Sequence, residues 1–317
     1  MLTLVTGVLI AFHSDPALAN AEIKLSSRLT QDEKSLVQKT LNVADDKKLN
    51  PALLSPLYQR YFKSTELKDI QNYLSGRIEL IVSSHSKLWV KTSAPQIPYL
   101  PILVGDNPTP TNHPGLLLWI ADRFNSKEQT LVDGEVVSSV KMPKVIQIGS
   151  DFGRYSALYG LSILVHEARH SDCESGLSDE TVSKWKNSED LKALSFAIAK
   201  EPCGHSHGLC KSSSVNSGKL VCDPDLKGAY AYQYVFNRAV VNACENCSFS
   251  EKLVMQIFAL DAASKLPLSP DLSERVGKTL LELPTLQKTT EASTLIHVTL
   301  EKVLKQVDDF LLQSNQP

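Results

Sequence analysis

Apolar and polar residues recur along this chain in two rhythms, and the change between them organises it. From residue 30 to 76 the rhythm is helical. Thr30-Gln31-Asp32-Glu33 forms a capping box, in which the Thr30 hydroxyl takes an early backbone N–H and Glu33 reaches back to the cap. Leu36, Val37, Leu41 and Val43 follow at roughly helical spacing until Asn50-Pro51 ends the run. Leu53 to Phe62 and Thr65 to Gly76 predict two more short helices, the second capped by Ser64 or Thr65. From Arg77 the pattern shortens to that of strands. Ile78 to Val82, Leu88 to Lys91 and Val145 to Gly149 are β-like, and Thr130 to Val140 carries Asp133-Gly134, a strong two-residue hairpin signal. The prolines from Pro95 to Pro114 predict a long loop, and Gly115 to Phe124 fits either a strand or a short helix.

The helical rhythm then returns. Leu158, Leu161, Ile163, Leu164 and Val165 predict a helix over Tyr155 to Asp172 with a buried face. Small polar residues and cysteines follow as far as Cys222. Four helices are predicted after that: Lys227 to Cys244, one opening at Ser250-Glu251 and running to Ala263, Asp271 to Leu283, and Ala292 to Leu312, with Pro284 as a break. The last is amphipathic and suited to closing a core. The expected class is α+β, with a small, mostly antiparallel sheet before one helix, then a disulfide-rich loop region and a C-terminal helical part. The expected division is a leader over 1–19, a helical segment over 20–76, and 77–172 joined with 173–317 in one compact unit.

Composition narrows the class of protein. At 42% hydrophobic and 21% charged, with a formal charge of −2, the chain resembles an ordinary globular protein. It has no basic stripe or aromatic-basic motif, which argues against nucleic acid as a partner. No internal apolar stretch reaches membrane-spanning length, so no stable membrane insertion is expected once the leader is removed. Leu2 to Phe12 fits the apolar region of a secretion signal that lacks a basic start, with cleavage after Ala17-Leu18-Ala19 or Ala19-Asn20-Ala21. All six cysteines lie between Cys173 and Cys247, an even number in one region, as exported disulfide-stapled proteins have. Sequence does not choose among fifteen pairings. The favoured set is Cys173–Cys203, Cys210–Cys222 and Cys244–Cys247. The rival is a structural zinc site on Cys203, Cys210, Cys222 and one histidine.

The chemistry concentrates at His166-Glu167-Ala168-Arg169-His170. Residues four apart on a helix share a face, so both imidazoles can reach one cation. Glu167, beside them, can accept a proton from an attacking water. Only eight histidines occur in 317 residues, so this H-E-x-x-H is an informative pattern rather than an expected coincidence. It points to Zn2+ on His166 and His170, with Glu167 catalytic.

In this motif, and in the layout of strands and helices from Arg77 to Phe258, the chain resembles the zincin metallopeptidases. The resemblance implies a zincin-like fold, an edge strand lining the substrate cleft (Glu135 to Val140 or Val145 to Gly149), and a peptide or protein substrate. Arg169 departs from the uncharged residue usual at its position. It could face solvent or pair with Asp172 or Glu174. Asp172 is also a possible outer partner for a ligand histidine.

The third ligand is open. A metzincin continuation is excluded, because Cys173 and Gly176 fall where that subclass fixes other residues. Glu180, Glu189 and Glu245 are available as a gluzincin would use them. Asp223 and Asp225, before Gly228-Ala229-Tyr230, are available as an aspzincin would use them. His205 and His207 stand in a loop that a Cys173–Cys203 disulfide would hold near the end of the motif helix. Tyr230, Tyr232 and Tyr234 read first as packing residues and second as donors to a developing oxyanion. Two rival functions remain beside the peptidase: a non-catalytic exported binding protein on the same scaffold, and a metal-dependent amidase acting on cell-wall material. Oligomeric state is not legible.

Overall fold

The computed structural model describes residues 22–83, 89–90, 97–98, 102–104, 130–132, 135–137, 145–148, 152, 156–170, 207–286 and 292–314. The expected leader, His205, Cys173, Cys203, Asp172, Glu174, Gly176, Glu180, Glu189 and the segment Gly115 to Phe124 lie outside the described residues.

The described chain is mostly helical, with a small sheet. Among the described residues eight short strands occur: β1 (Lys24–Leu25), β2 (Leu80–Val82), β3 (Trp89–Val90), β4 (Ile97–Pro98), β5 (Ile102–Val104), β6 (Thr130–Val132), β7 (Glu135–Val137) and β8 (Val145–Ile148). The helices are α1 (Gln31–Asp46), α2 (Pro56–Phe62), α3 (Asp69–Ser75), α4 (Ala157–His170), α5 (Ala229–Ala243), α6 (Phe249–Ala263), α7 (Pro270–Leu286) and α8 (Ala292–Ser314), with one 3-10 turn at Pro51–Leu53.

The four-stranded sheet, in the order β1-β2-β8-β5, is parallel throughout, which corrects the expectation of a mostly antiparallel sheet before the motif helix. Leu80, Ile81 and Val82 are all buried, so β2 is a continuous apolar run of the kind that a doubly covered parallel strand needs. Parallel neighbours require a crossover between them, and α1 to α3 lie between β1 and β2 in the chain. The segment expected to be only helical therefore also supplies an edge strand, with Lys24 opposite Leu80 and Leu25 opposite Ile81.

Two further differences follow. Ile102 to Val104, within the proline-rich stretch read as loop, is the other edge of this sheet. Val145–Ile148 lies between β2 and β5, so it cannot offer a free edge to substrate. Among the described residues, antiparallel ladders are two small ones, β3 with β4 and β6 with β7. The second pairs Val132 with Glu135 and Thr130 with Val137, the register expected of a hairpin.

Local signals act where expected in most helices. Thr30 and Glu33 form the reciprocal cap of α1. The α6 capping box uses Ser248 with Glu251, two residues earlier than the predicted start. The predicted third helix begins late, at Asp69, without a side-chain cap. Pro284 does not break α7, which continues to Leu286. In α8, Ile296, Leu300, Val303, Leu304, Val307 and Leu311 face the core, as its pattern requires. Among the described residues no helix is long and apolar enough to cross a membrane.

The core centres on α5, which packs against α4 on one side and α6 on the other. The motif helix is held from behind by α1. At Gly160 a Cβ would come within 2.9 Å of the Thr40 side chain, so glycine permits this close approach. Gly160→Ala should lower stability by about 1–3 kcal/mol through overpacking, despite alanine's better helix propensity. A urea titration checks the sign, and a stabilised variant would refute the packing argument.

Candidate metal centre

Three histidines meet at the end of α4. His166 and His170 project from its last turns, and both are buried. Their Nε2 atoms are 3.3 Å apart. Two nitrogens at about 2.0–2.1 Å from a tetrahedral ion are separated by about 3.3–3.4 Å, so this spacing suits a shared cation. His207 completes the group, and one nitrogen from each ring lies within 4.8 Å of the others. The cluster His166, His170 and His207 could hold a metal ion. Of the proposed third ligands, the structure brings in His207. Glu245 lies just past the far end of α5 and is exposed, and Asp225 is exposed and bonds the Lys227 amide.

His207 is held there by its own loop. The Gly208 N–H donates to the Cys222 carbonyl at 2.6 Å, and Cys222 returns the bond at 3.1 Å. The Cys210–Cys222 disulfide closes the same loop two residues further on, which removes these two cysteines from the rival structural zinc site. Cys244–Cys247 forms at the α5–α6 junction, as expected. The loop is moored to the end of α6, where the Asp223 amide donates to the Lys265 carbonyl and the Ser214 hydroxyl to the Ser264 carbonyl, both at 2.9 Å.

Opposite the loop stands the start of α5. The Tyr230 ring stacks on His207, with centroids 4.7 Å apart, and meets His166 edge-on at 4.3 Å. The first tyrosine of the three thus belongs to the site. Tyr234 is buried deep in the helical core, and Tyr232 joins Tyr61, Phe62 and Tyr73 in an aromatic cluster. Arg169 adopts an arrangement not anticipated from sequence. Its Nε donates to the Lys227 carbonyl at 2.8 Å and its guanidinium lies 4.3 Å over the Tyr232 ring. The charged residue inside the motif therefore ties α4 to the segment that leads into α5.

The electrostatics favour neutral imidazoles. Burial, and then the neighbouring His170, His207 and Lys265, hold the His166 proton affinity well below its ordinary value. Metal ligation needs that unprotonated form. Burial lifts the Glu167 carboxyl well above the usual carboxylate range. Burial also raises Asp223 to about 7, although the backbone amides at Ala231 and Tyr230 pull it down. The Tyr230 hydroxyl is pushed up to about 12, mainly by burial and against the pull of Lys265. Lys265, bound to Asp261 at 2.7 Å and 4.5 Å from the Tyr230 ring centre, went unnoticed in the sequence because nothing about its context marks it.

Beside the cluster lies an apolar cavity of about 340 Å³, walled by Gly208, Leu209, Pro224, Leu266, Pro267 and Leu268. Its lining includes Asp223 and begins one residue from both His207 and Lys265. Comparison with known proteins gives no matching family model, no similar curated protein and no similar solved structure.

Proposed function

We propose that the chain is an exported metal-dependent hydrolase of zincin type, with Zn2+ on His166, His170 and His207 and a peptide or protein as substrate. The observation that carries this reading is the convergence of the three ring nitrogens, two of them from an H-E-x-x-H helix. Among the described residues the cluster is three histidines, which is the donor set of a catalytic rather than a structural zinc. Zinc held there would supply a Lewis acid and a water acidified toward neutrality. Glu167 accepts the proton of the attacking water and passes it to the leaving amine. Tyr230, packed against His166 and His207, would donate to the oxygen that gains charge. The apolar cavity beside His207 receives a side chain of the substrate. Two grounds for the non-catalytic reading weaken, because a third histidine is present and Arg169 has a structural role. The disulfides agree with an oxidising, exported setting.

The test is metal content followed by turnover. Purified protein supplied with zinc should bind about one ion per chain. His207→Ala should lose about three kcal/mol or more of that binding, since one of three ligands is gone. Loaded protein should cut a denatured protein substrate. Cleavage of cell-wall material alone would make it the amidase instead. No zinc uptake with disulfides intact would end the proposal.

A further inference from the structure

The Asp223 carboxylate is buried, yet it belongs to none of the three ligands. One oxygen, Oδ2, accepts from the Ala231 amide at 2.9 Å and so caps the start of α5. The other, Oδ1, faces His207 Nδ1 at 3.6 Å, and the Asp223 side chain is fully shielded from solvent. A Cβ on Gly228 would fall 2.2 Å from Asp223 Cγ, so glycine at that place keeps the space the carboxylate fills. The backbone is equally fixed. The paired bonds between Gly208 and Cys222, and the disulfide two residues beyond Gly208, set the distance between His207 and Asp223.

We propose that Asp223 is the positioning residue of the third histidine, holding His207 with Nδ1 turned to the carboxylate and Nε2 turned to the metal. The inference rests on the reading of the three histidines as a metal site. An imidazole that ligates through one nitrogen carries its proton on the other, and an acceptor there fixes both tautomer and ring angle. The present separation is longer than a hydrogen bond, and a shift of about half an ångström closes it. The same carboxylate then joins the first turn of α5, which carries Tyr230, to the metal loop. Tyr230 and His207 are thereby set by one group.

Asp223→Asn separates the two duties. The amide oxygen can still accept from Ala231, which leaves the NH2 facing His207 Nδ1. A donor at that place favours the tautomer with its proton on Nε2, which cannot ligate. Zinc affinity, read by competition with a chelating dye, should fall about 10–100-fold. The visible spectrum of the cobalt-loaded variant should change, and thermal unfolding without metal should match the wild type. Gly228→Ala keeps every ligand and every donor but displaces the carboxylate, and should lower affinity in the same range. Wild-type affinity and cobalt spectrum in Asp223→Asn would overturn the positioning role while leaving the metal site standing. A variant whose affinity loss is matched by a loss of metal-free stability would reduce Asp223 to a helix cap and overturn it as well. A wild type that takes up no zinc would remove the metal reading itself.

Discussion

Glu167→Gln is expected to leave zinc uptake at the wild-type level and to cut turnover of any cleaved peptide by about 10²–10⁴-fold. Glutamine keeps the size of the side chain and the neutral hydrogen-bonding surface around it. It cannot take up a proton from water, and the reaction needs that acceptor. The ligand nitrogens stay in place because His166 and His170 are fixed by the helix and by their buried neighbours. The measurement pairs elemental analysis with initial rates on a fluorogenic peptide chosen from the first cleavages found. Equal rates in variant and wild type would assign the chemistry to another residue. Loss of zinc together with rate would mean that Glu167 holds the site together rather than transferring a proton.

What the residues disclosed in advance depended on how local the cause was. The α1 cap, the hairpin pairing Thr130 with Val137 and the placing of two histidines on one helix face each depend on a few adjacent residues, and these were legible. Sheet direction was not, because parallel pairing of Leu80 with Val145 depends on partners 65 positions away that carry no turn signal. The strand Ile102–Val104 was hidden for a different reason, since prolines on both sides give it the composition of a loop. The third ligand was open among several glutamates, aspartates and two histidines, and the closed loop is what brings His207 to the other two rings. Asp223 drew notice as a possible ligand, whereas its Oδ1 faces His207 Nδ1 at 3.6 Å. Arg169 looked like a departure from a family pattern because its partner, the Lys227 carbonyl, is a backbone group that no motif can announce.

Arg238→Ala should cost about 3–5 kcal/mol of folding stability, the range for removing one partner of a buried ionic group. Arg238 stands in the middle of α5 and is almost wholly buried. Its guanidinium donates to both oxygens of Glu301, at 2.9 and 2.8 Å, and to Asp308 Oδ2 at 2.7 Å. Both acids lie on α8, so one side chain clamps the last helix to the central one. Others complete the set: Gln256 donates to Glu301 at 2.9 Å, and the Tyr234 hydroxyl reaches Asp308 at 2.7 Å. The two acids differ in what they lose. The Arg238 guanidinium holds Glu301 below the usual carboxylate range, and Glu301 is partly open to water, so solvent can replace part of that support. Burial already raises Asp308, with Arg238 as its main opposing influence, so the variant leaves an ionised Asp308 largely uncompensated. Asp308→Asn in the same background should therefore recover part of the loss. Urea titrations of the single and double variants measure both effects, and a single-variant loss below about 1 kcal/mol would show a solvent-screened pair instead. Zinc content under native conditions should not change. Tyr230 precedes Arg238 by more than two helical turns on α5, so the clamp and the histidine cluster should be lost separately.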